Sequence, residues 1–159
     1  MKLTTKGRFA VTAMLDIAMH DPEEYVTIAD ISERRHLSSS YLEQLFGKLR
    51  KAGLLEGIRG PSGGYRLSRP SSEINVAQVL DAVDDTLKTN RCARNRAECD
   101  GQGECITFDL WYSLNQEMRK YLTGITLKAL ADKRRLEDQG FQTIHLEKMN
   151  SHKESLNSK

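Results

Sequence analysis

The hydrophobic period of this chain changes at Gly53, and that change limits the folds open to it. Before Gly53 the apolar residues recur at helical spacing. Phe9, Ala10, Ala13, Met14, Ile17 and Ala18 share one face between Gly7 and His20. Asp21-Pro22 ends that run. Thr27 with Asp30 three residues on is an N-cap signature, and it predicts a short second helix ending near Arg35. After the tight connection His36-Leu37-Ser38, a third helix is expected from Ser39 to Ala52. Its stripe is Leu42, Leu45, Phe46 and Leu49, with Gly53 as the C-terminal cap. Beyond Gly53 the pattern becomes short and extended. Leu54 to Arg59 and Tyr65-Arg66-Leu67 flank the turn Gly60-Pro61-Ser62-Gly63-Gly64, which reads as a β-hairpin with a glycine-rich tip. Three short helices followed by a hairpin is the order of a winged helix-turn-helix. The expected fold class is mainly α with a small β-hairpin wing.

The remainder is helical with one interruption. A linker at 70–76 leads into a short helix, Ala77 to Asp85, then into a polar loop carrying the cysteines. A long helix from Thr107 to Leu122 follows, and Gly124 breaks it. Thr126 caps a further helix to about Leu136. Within the long helix Leu110, Leu114, Met118 and Tyr121 form a stripe at near-heptad spacing, which predicts pairing with a second copy as a homodimer. The expected divisions are 1–70, a winged helix-turn-helix DNA-binding domain; 71–136, a cluster-binding loop with dimerisation helices; and 137–159, a polar, disordered tail.

Net charge is +2, but residues 1–70 carry 11 Lys/Arg against 8 Asp/Glu, which permits a polyanion partner without requiring one. No apolar run reaches the ~18–20 residues that span a bilayer, and the start MKLTTKGRFAV lacks a signal-peptide pattern. A cytoplasmic protein with no membrane partner is therefore expected. No HExxH, GxSxG or P-loop occurs, and His20, His36, His145 and His152 suggest no local triad, so an enzyme is not expected.

In a helix-turn-helix the second helix of the motif enters the major groove. With Leu42, Leu45 and Leu49 inward, Ser40, Tyr41, Glu43, Gln44, Lys48 and Lys51 are left for the outer faces. Gln pairs with adenine, Glu accepts from cytosine, and Lys and Ser hold phosphates. The competing reading of the same residues is a capping box, Ser40-x-x-Glu43, beside a solvated lysine face. The hairpin favours DNA over the alternative of a plain β-turn, in which Gly-Pro and Gly-Gly are ordinary. Arg59 and Arg66 flank a tip of Gly60, Ser62, Gly63 and Gly64 that a core-forming hairpin would not need, and a tip without bulky side chains approaches a backbone or minor groove closely.

Cys92, Cys99 and Cys105 are the only cysteines, at C-x6-C-x5-C spacing. That is neither a zinc ribbon nor a CxxC redox pair. Three thiolates in a polar loop suit an iron–sulfur cluster, and Arg91, Arg94 and Arg96 would offset its negative charge. A zinc-holding or cluster-holding interaction adaptor uses the same residues.

The stretches "MKLTTKGRFAVTAMLDIA", "ADISERRHLSSSYLEQLFGKLRKAGLL" and "RGPSGGYRLS", with the three-cysteine loop followed by "LW", resemble the iron–sulfur cluster regulators of the Rrf2 family of bacterial winged-helix transcription regulators. The resemblance runs from Met1 to about Leu130. It implies a homodimer that binds a double-stranded DNA operator, represses or activates cluster-assembly genes, and senses cluster supply through a 2Fe–2S cluster. Cluster-assembly scaffold proteins are further candidate partners, and nitric oxide or redox-stress sensing is an alternative on the same scaffold. By position Ser40, Glu43, Gln44 and Arg59 match DNA-contacting residues of the family, Glu43 matches a position that discriminates operator classes, and Cys92, Cys99 and Cys105 match its thiolate ligands. Two departures stand out: the first cysteine gap is one residue longer, and Phe108 occupies the place of a histidine ligand three residues after the last cysteine. Asp109 and His145 are then the candidate fourth ligands, with Glu98, Asp100 and Glu104 also in the loop. An open fourth position would suit a 4Fe–4S cluster.

Overall fold

The structure, a computed structural model, describes residues 4–60, 63–83 and 106–137. Helix α1 spans Thr5–Ala18, capped by the Thr4 hydroxyl, which accepts from the Gly7 N–H. Helix α2 spans Ile28–Arg35. The expected cap is present in full: the Thr27 hydroxyl accepts from the Asp30 N–H, and the Asp30 carboxylate accepts from the Thr27 N–H. The Thr27 hydroxyl, at 2.7 Å, and the Thr27 N–H both donate to the Asp30 carboxylate and hold it below the ordinary carboxylate range. Helix α3 spans Ser39–Lys51. Its stripe Leu42, Leu45, Phe46 and Leu49 is buried, as the spacing predicts. Gly53, at φ +70°, turns the chain out of α3, and the Leu54 N–H reaches back to the Leu49 carbonyl at 3.0 Å.

The hairpin pairs β1, Leu55–Ile58, with β2, Gly64–Leu67, antiparallel in the register Leu55 to Leu67 and Ile58 to Gly64. An edge partner is added from far upstream: Val26, just before α2, pairs with Tyr65 by reciprocal backbone bonds of 2.9 and 2.8 Å. Periodicity offers no signal for that single bridge. A 3-10 turn at Ser71–Glu73 precedes α4, Val76–Ala82, whose Asn75–Gln78 capping box sets its start. Helix α5 spans Phe108–Thr123 and ends at Gly124. Helix α6 occupies residues 127–137, with the Thr126 hydroxyl accepting from the Ala129 N–H at 3.1 Å.

One apolar cluster joins α1, α2, α3, the wing, α4 and the start of α6. Ala10, Ala13, Met14 and Ile17 of α1 meet the α3 stripe, and Ile74, Val79, Val83 and Leu127 pack into the same core. Two backbone bonds, Val76 N–H to Ile125 and Leu127 N–H to Ile74, both 2.9 Å, pin the start of α6 to the start of α4. No helix among the described residues is long and apolar enough to cross a membrane.

Candidate nucleic-acid interface

The turn between α2 and α3 is tight because His36 adopts the left-handed region, at φ 53°. A non-glycine residue there is uncommon. It is held by its surroundings: the Leu37 N–H bonds the Ser32 carbonyl at 3.1 Å, and the Ser32 hydroxyl donates to the Leu37 carbonyl. The Ser39 hydroxyl then reaches Ser32 at 3.0 Å, tying the first turn of α3 to α2.

The orientation of α2 is set by a residue that sequence patterning passes over. Asp16 lies in the middle of the apolar face of α1 and is fully buried. Both Arg34, at 2.7 Å, and Arg35 donate to its carboxylate from the last turn of α2. Burial pushes the Asp16 carboxyl up, but the two guanidinium groups outweigh it and hold the carboxyl below its ordinary range. A lone carboxylate on an apolar stripe, followed by two adjacent arginines, was the available sequence signal.

On α3 the Ser40–Glu43 capping box does not form. The helix begins at Ser39, as expected, with Ser38 at the N-cap, two residues before Ser40, and no side-chain cap bond. The Ser38 and Ser40 hydroxyls lie 3.2 Å apart. Ser40, Glu43 and Gln44 are all exposed on the outward side of the helix, as are Arg50 and Lys51. Lys48 is half-buried. Tyr41 is half-buried too, packed edge-on against Phe9 with ring centroids 6.0 Å apart, so its ring belongs partly to the α1–α3 contact rather than to the outer face alone.

The wing is anchored to this helix by Phe46, which meets Tyr65 of β2 edge-on at 4.8 Å. Arg59 is exposed at the end of β1, and Gly60, also exposed, has φ +121°. Gly63 closes the turn, its N–H donating to the Gly60 carbonyl at 2.9 Å; Ser62 lies outside the described residues. Two features of the tip belong to the protein's own packing. Its glycines are not there only to spare space for DNA: a Cβ on Gly63 would fall 2.5 Å from the Ile58 carbonyl oxygen, and one on Gly64 would fall 2.8 Å from that of Val26. Nor is Arg66 a wing-tip cation equivalent to Arg59. It bonds Glu56 and Glu23 and lies 4.9 Å from the centre of the Tyr25 ring. The hydrogen bond it donates to Glu56 raises its pKa further.

The cysteine segment falls elsewhere. Cys92, Cys99, Cys105 and His145 lie outside the described residues, with Arg91, Arg94, Arg96, Glu98, Asp100 and Glu104. Among the described residues no group of His, Cys, Asp and Glu is arranged to hold a metal ion. Phe108 is buried and stacked on Tyr112, ring centroids 5.8 Å apart at 16°, so it acts as packing at the start of α5. Asp109, next to it in the first turn, is exposed.

A helix-turn-helix locked to a two-stranded wing is matched by comparison with known proteins. Residues 3–133 match the family model described as "Rrf2: Iron-dependent Transcriptional regulator". This chain belongs to the Rrf2 family. The HTH-type transcriptional regulator IscR of Vibrio atlanticus is 50% identical over 147 residues, covering 92% of this chain and 84% of that protein. IscR of Photorhabdus laumondii is 49% identical over 138 residues, covering 87% and 84%. Among solved structures, CymR, the global cysteine regulator of B. subtilis, superposes with a TM-score of 0.72 at 29% identity, covering 84% of this chain and 98% of CymR. IscR of T. potens gives 0.69 at 34%, covering 84% and 88%. This Rrf2 protein is a DNA-binding transcription regulator of IscR-like type, and its relatives are regulators rather than enzymes.

Proposed function

We propose that this regulator reads operator DNA with Ser40, Glu43 and Gln44 of α3 at base edges and phosphates, with Tyr41 and Lys48 at the edge of that face. Arg59, Gly60, Ser62 and Gly63 of the wing meet the adjacent backbone or minor groove. The observation that carries this is the unformed capping box. Ser40 and Glu43 would be explained by helix capping, yet Ser38 takes the N-cap position and the Glu43 side chain stays exposed beside Gln44. The packing of Phe46 on Tyr65 holds wing and helix as one surface, so both engage a single duplex.

Cluster sensing belongs to the same proposal. Cys92, Cys99 and Cys105 supply three thiolates within fourteen residues, a donor set that fits an iron–sulfur cluster, 2Fe–2S first and 4Fe–4S second. Phe108 offers no donor atom, so Asp109 and His145 are the candidate fourth ligands, with an open or exogenous fourth position as the alternative. Asp109 is favoured because α5 begins at Phe108 and places it in its exposed first turn, four residues after Cys105. A bound cluster would supply a group that is oxidised, reduced or lost as iron and sulfur supply changes. A carboxylate is a harder and weaker ligand than thiolate, so the group it completes is more labile. The regulated genes on this reading are those of cluster assembly, with cluster-assembly scaffold proteins as partners.

The stripe on α5 supports a homodimer. Leu110 is 61% and Tyr121 70% exposed in the single chain, with Leu114 also exposed. Residues 71–136 would then form the cluster and dimer part, and 137–159 a tail.

The test uses an operator obtained by in vitro selection and binding measured by anisotropy at several salt concentrations. Arg59→Ala is expected to weaken binding by roughly 1–3 kcal/mol for a base contact, or to reduce the salt slope by about one for a phosphate contact. Equal affinity at every salt concentration sinks the wing's role. For the cluster, anaerobic absorption and Mössbauer spectra of the three single Cys→Ala variants should each lose the parent signal. Asp109→Ala should shorten its lifetime while His145→Ala leaves it unchanged; the reverse result transfers the ligand role to His145.

A further inference from the structure

Between the base of the wing and α6 lies a cleft of about 560 Å³, lined by residues other than those proposed to read DNA. Small-molecule sites span roughly 300–1,000 Å³. Ile17, Leu67 and Ala131 contribute apolar lining. Four cationic side chains, Arg66, Arg69, Lys128 and Arg135, line it with four acidic ones, Asp21, Glu23, Glu56 and Asp132. Most of these charges are already paired. Arg66 holds Glu56 and Glu23, Lys128 bonds Asp132 at 2.7 Å, and Arg135 donates to the Met19 carbonyl at 3.2 Å. Arg69 differs: its Nε is buried and has no hydrogen-bond partner among the described residues. A buried donor on a charged group left unpaired is costly, and native structures rarely tolerate one without an acceptor.

We propose that this cleft binds a small organic carboxylate whose charged end is held by Arg69. An anion fits because the missing partner is an acceptor for a guanidinium, and an ionised acceptor makes the stronger bond to it. A single charge fits better than a polyanion, because the four acidic side chains outnumber the other three cations and would repel further negative charge. A carboxylate matches the planar guanidinium fork, and the apolar lining gives an organic body something to pack against. The site spans β2 and the segment after it on one side and α6 on the other, so an occupant ties the wing's base to α6.

The full-length protein is titrated with sodium hexanoate and sodium benzoate, with hexanol and inorganic phosphate as comparators, by calorimetry and amide NMR. At least one of the two carboxylates is expected to bind saturably and to shift the amide resonances of Leu67, Ser71 and Ala131. It should lose affinity by roughly tenfold or more in Arg69→Gln, while hexanol does not saturate. Absence of saturable binding by either carboxylate overturns the proposal, and so does binding that survives in Arg69→Gln. Phosphate binding as tightly as the better carboxylate overturns the ligand class. Should Arg69→Gln not fold, Ser72→Trp carries the test. Ser72 is exposed and lines the cleft, so the indole obstructs it without entering the core. Undiminished binding there overturns the site.

Discussion

Asp16 is a carboxylate with no exposed surface, placed where the helical pattern of α1 calls for an apolar residue. Two arginines from α2 make it tolerable, and in return it sets the angle at which the helix-turn-helix meets α1. Asp16→Asn removes the charge but keeps the shape, and it leaves Arg34 and Arg35 without their counter-ion. Both are partly exposed and hydrate in part, so the expected loss is about 1–3 kcal/mol, read from urea unfolding at neutral pH. The pH dependence has a definite sign. The folded carboxyl lies below 3.8, so the unfolded chain binds its proton first as pH falls. Its contribution is fully present above 3.8 and disappears as pH drops through the lower folded value. Parent and Asp16→Asn stabilities should therefore converge in acid; parallel curves down to the lowest accessible pH would contradict the role. Asp16 was readable in the sequence as an anomaly, but its partners were not, because they lie 18 and 19 residues away on another helix.

The wing shows how one element serves two demands. Gly63 and Gly64 are fixed by close backbone contacts inside the protein, with the Ile58 and Val26 carbonyls occupying the space a side chain would need. Gly63→Ala and Gly64→Ala are each expected to lower the melting temperature and to weaken operator binding together, because the turn must open to admit a methyl group. Unchanged melting with weakened binding would mean that the glycines serve DNA contact alone. Gly47, on the outward side of α3, has nothing within 4 Å of an added Cβ. Gly47→Ala should raise stability by about 0.5–1 kcal/mol, as expected for an unhindered helix interior, measured by the same unfolding experiment. The hairpin itself was legible from the change of period and the turn residues. Its third partner was not, since Val26 joins by a single bridge that has no periodicity to read.

At the level of the whole molecule, α5 meets α4 through an ion pair at the surface. Arg119 pairs with Asp81 of α4 through two hydrogen bonds, 2.7 and 3.2 Å, and the opposite ends of that pair are both partly exposed. Such a pair contributes about 0–1 kcal/mol. Meanwhile Leu110, Leu114 and Tyr121 face water in a single chain. A second copy covering that stripe removes the apolar surface from solvent. The double variant Leu110→Lys, Leu114→Lys is expected to sediment as a folded monomer at micromolar concentration while the parent sediments as a dimer. A dimeric variant, or a monomeric parent, rejects α5 as the pairing surface.

Local sequence was sufficient for what depends on near neighbours. The helix starts at Thr27 and Thr126, the break at Gly124, the inward stripe of α3 and the turn out of it at Gly53 all rest on hydrogen bonds and packing within a few residues. Tertiary structure decided what depends on distant ones. It assigned Arg66 to Glu56 and Glu23 rather than to the wing's outer surface, and it drew Tyr41 onto Phe9. It also brought Arg69 and α6 to one cleft. The exposed cations of a sequence look alike because charge alone carries no address. Which of them stays available to a ligand is settled only when the fold brings an acid, a ring or a carbonyl within reach of the others.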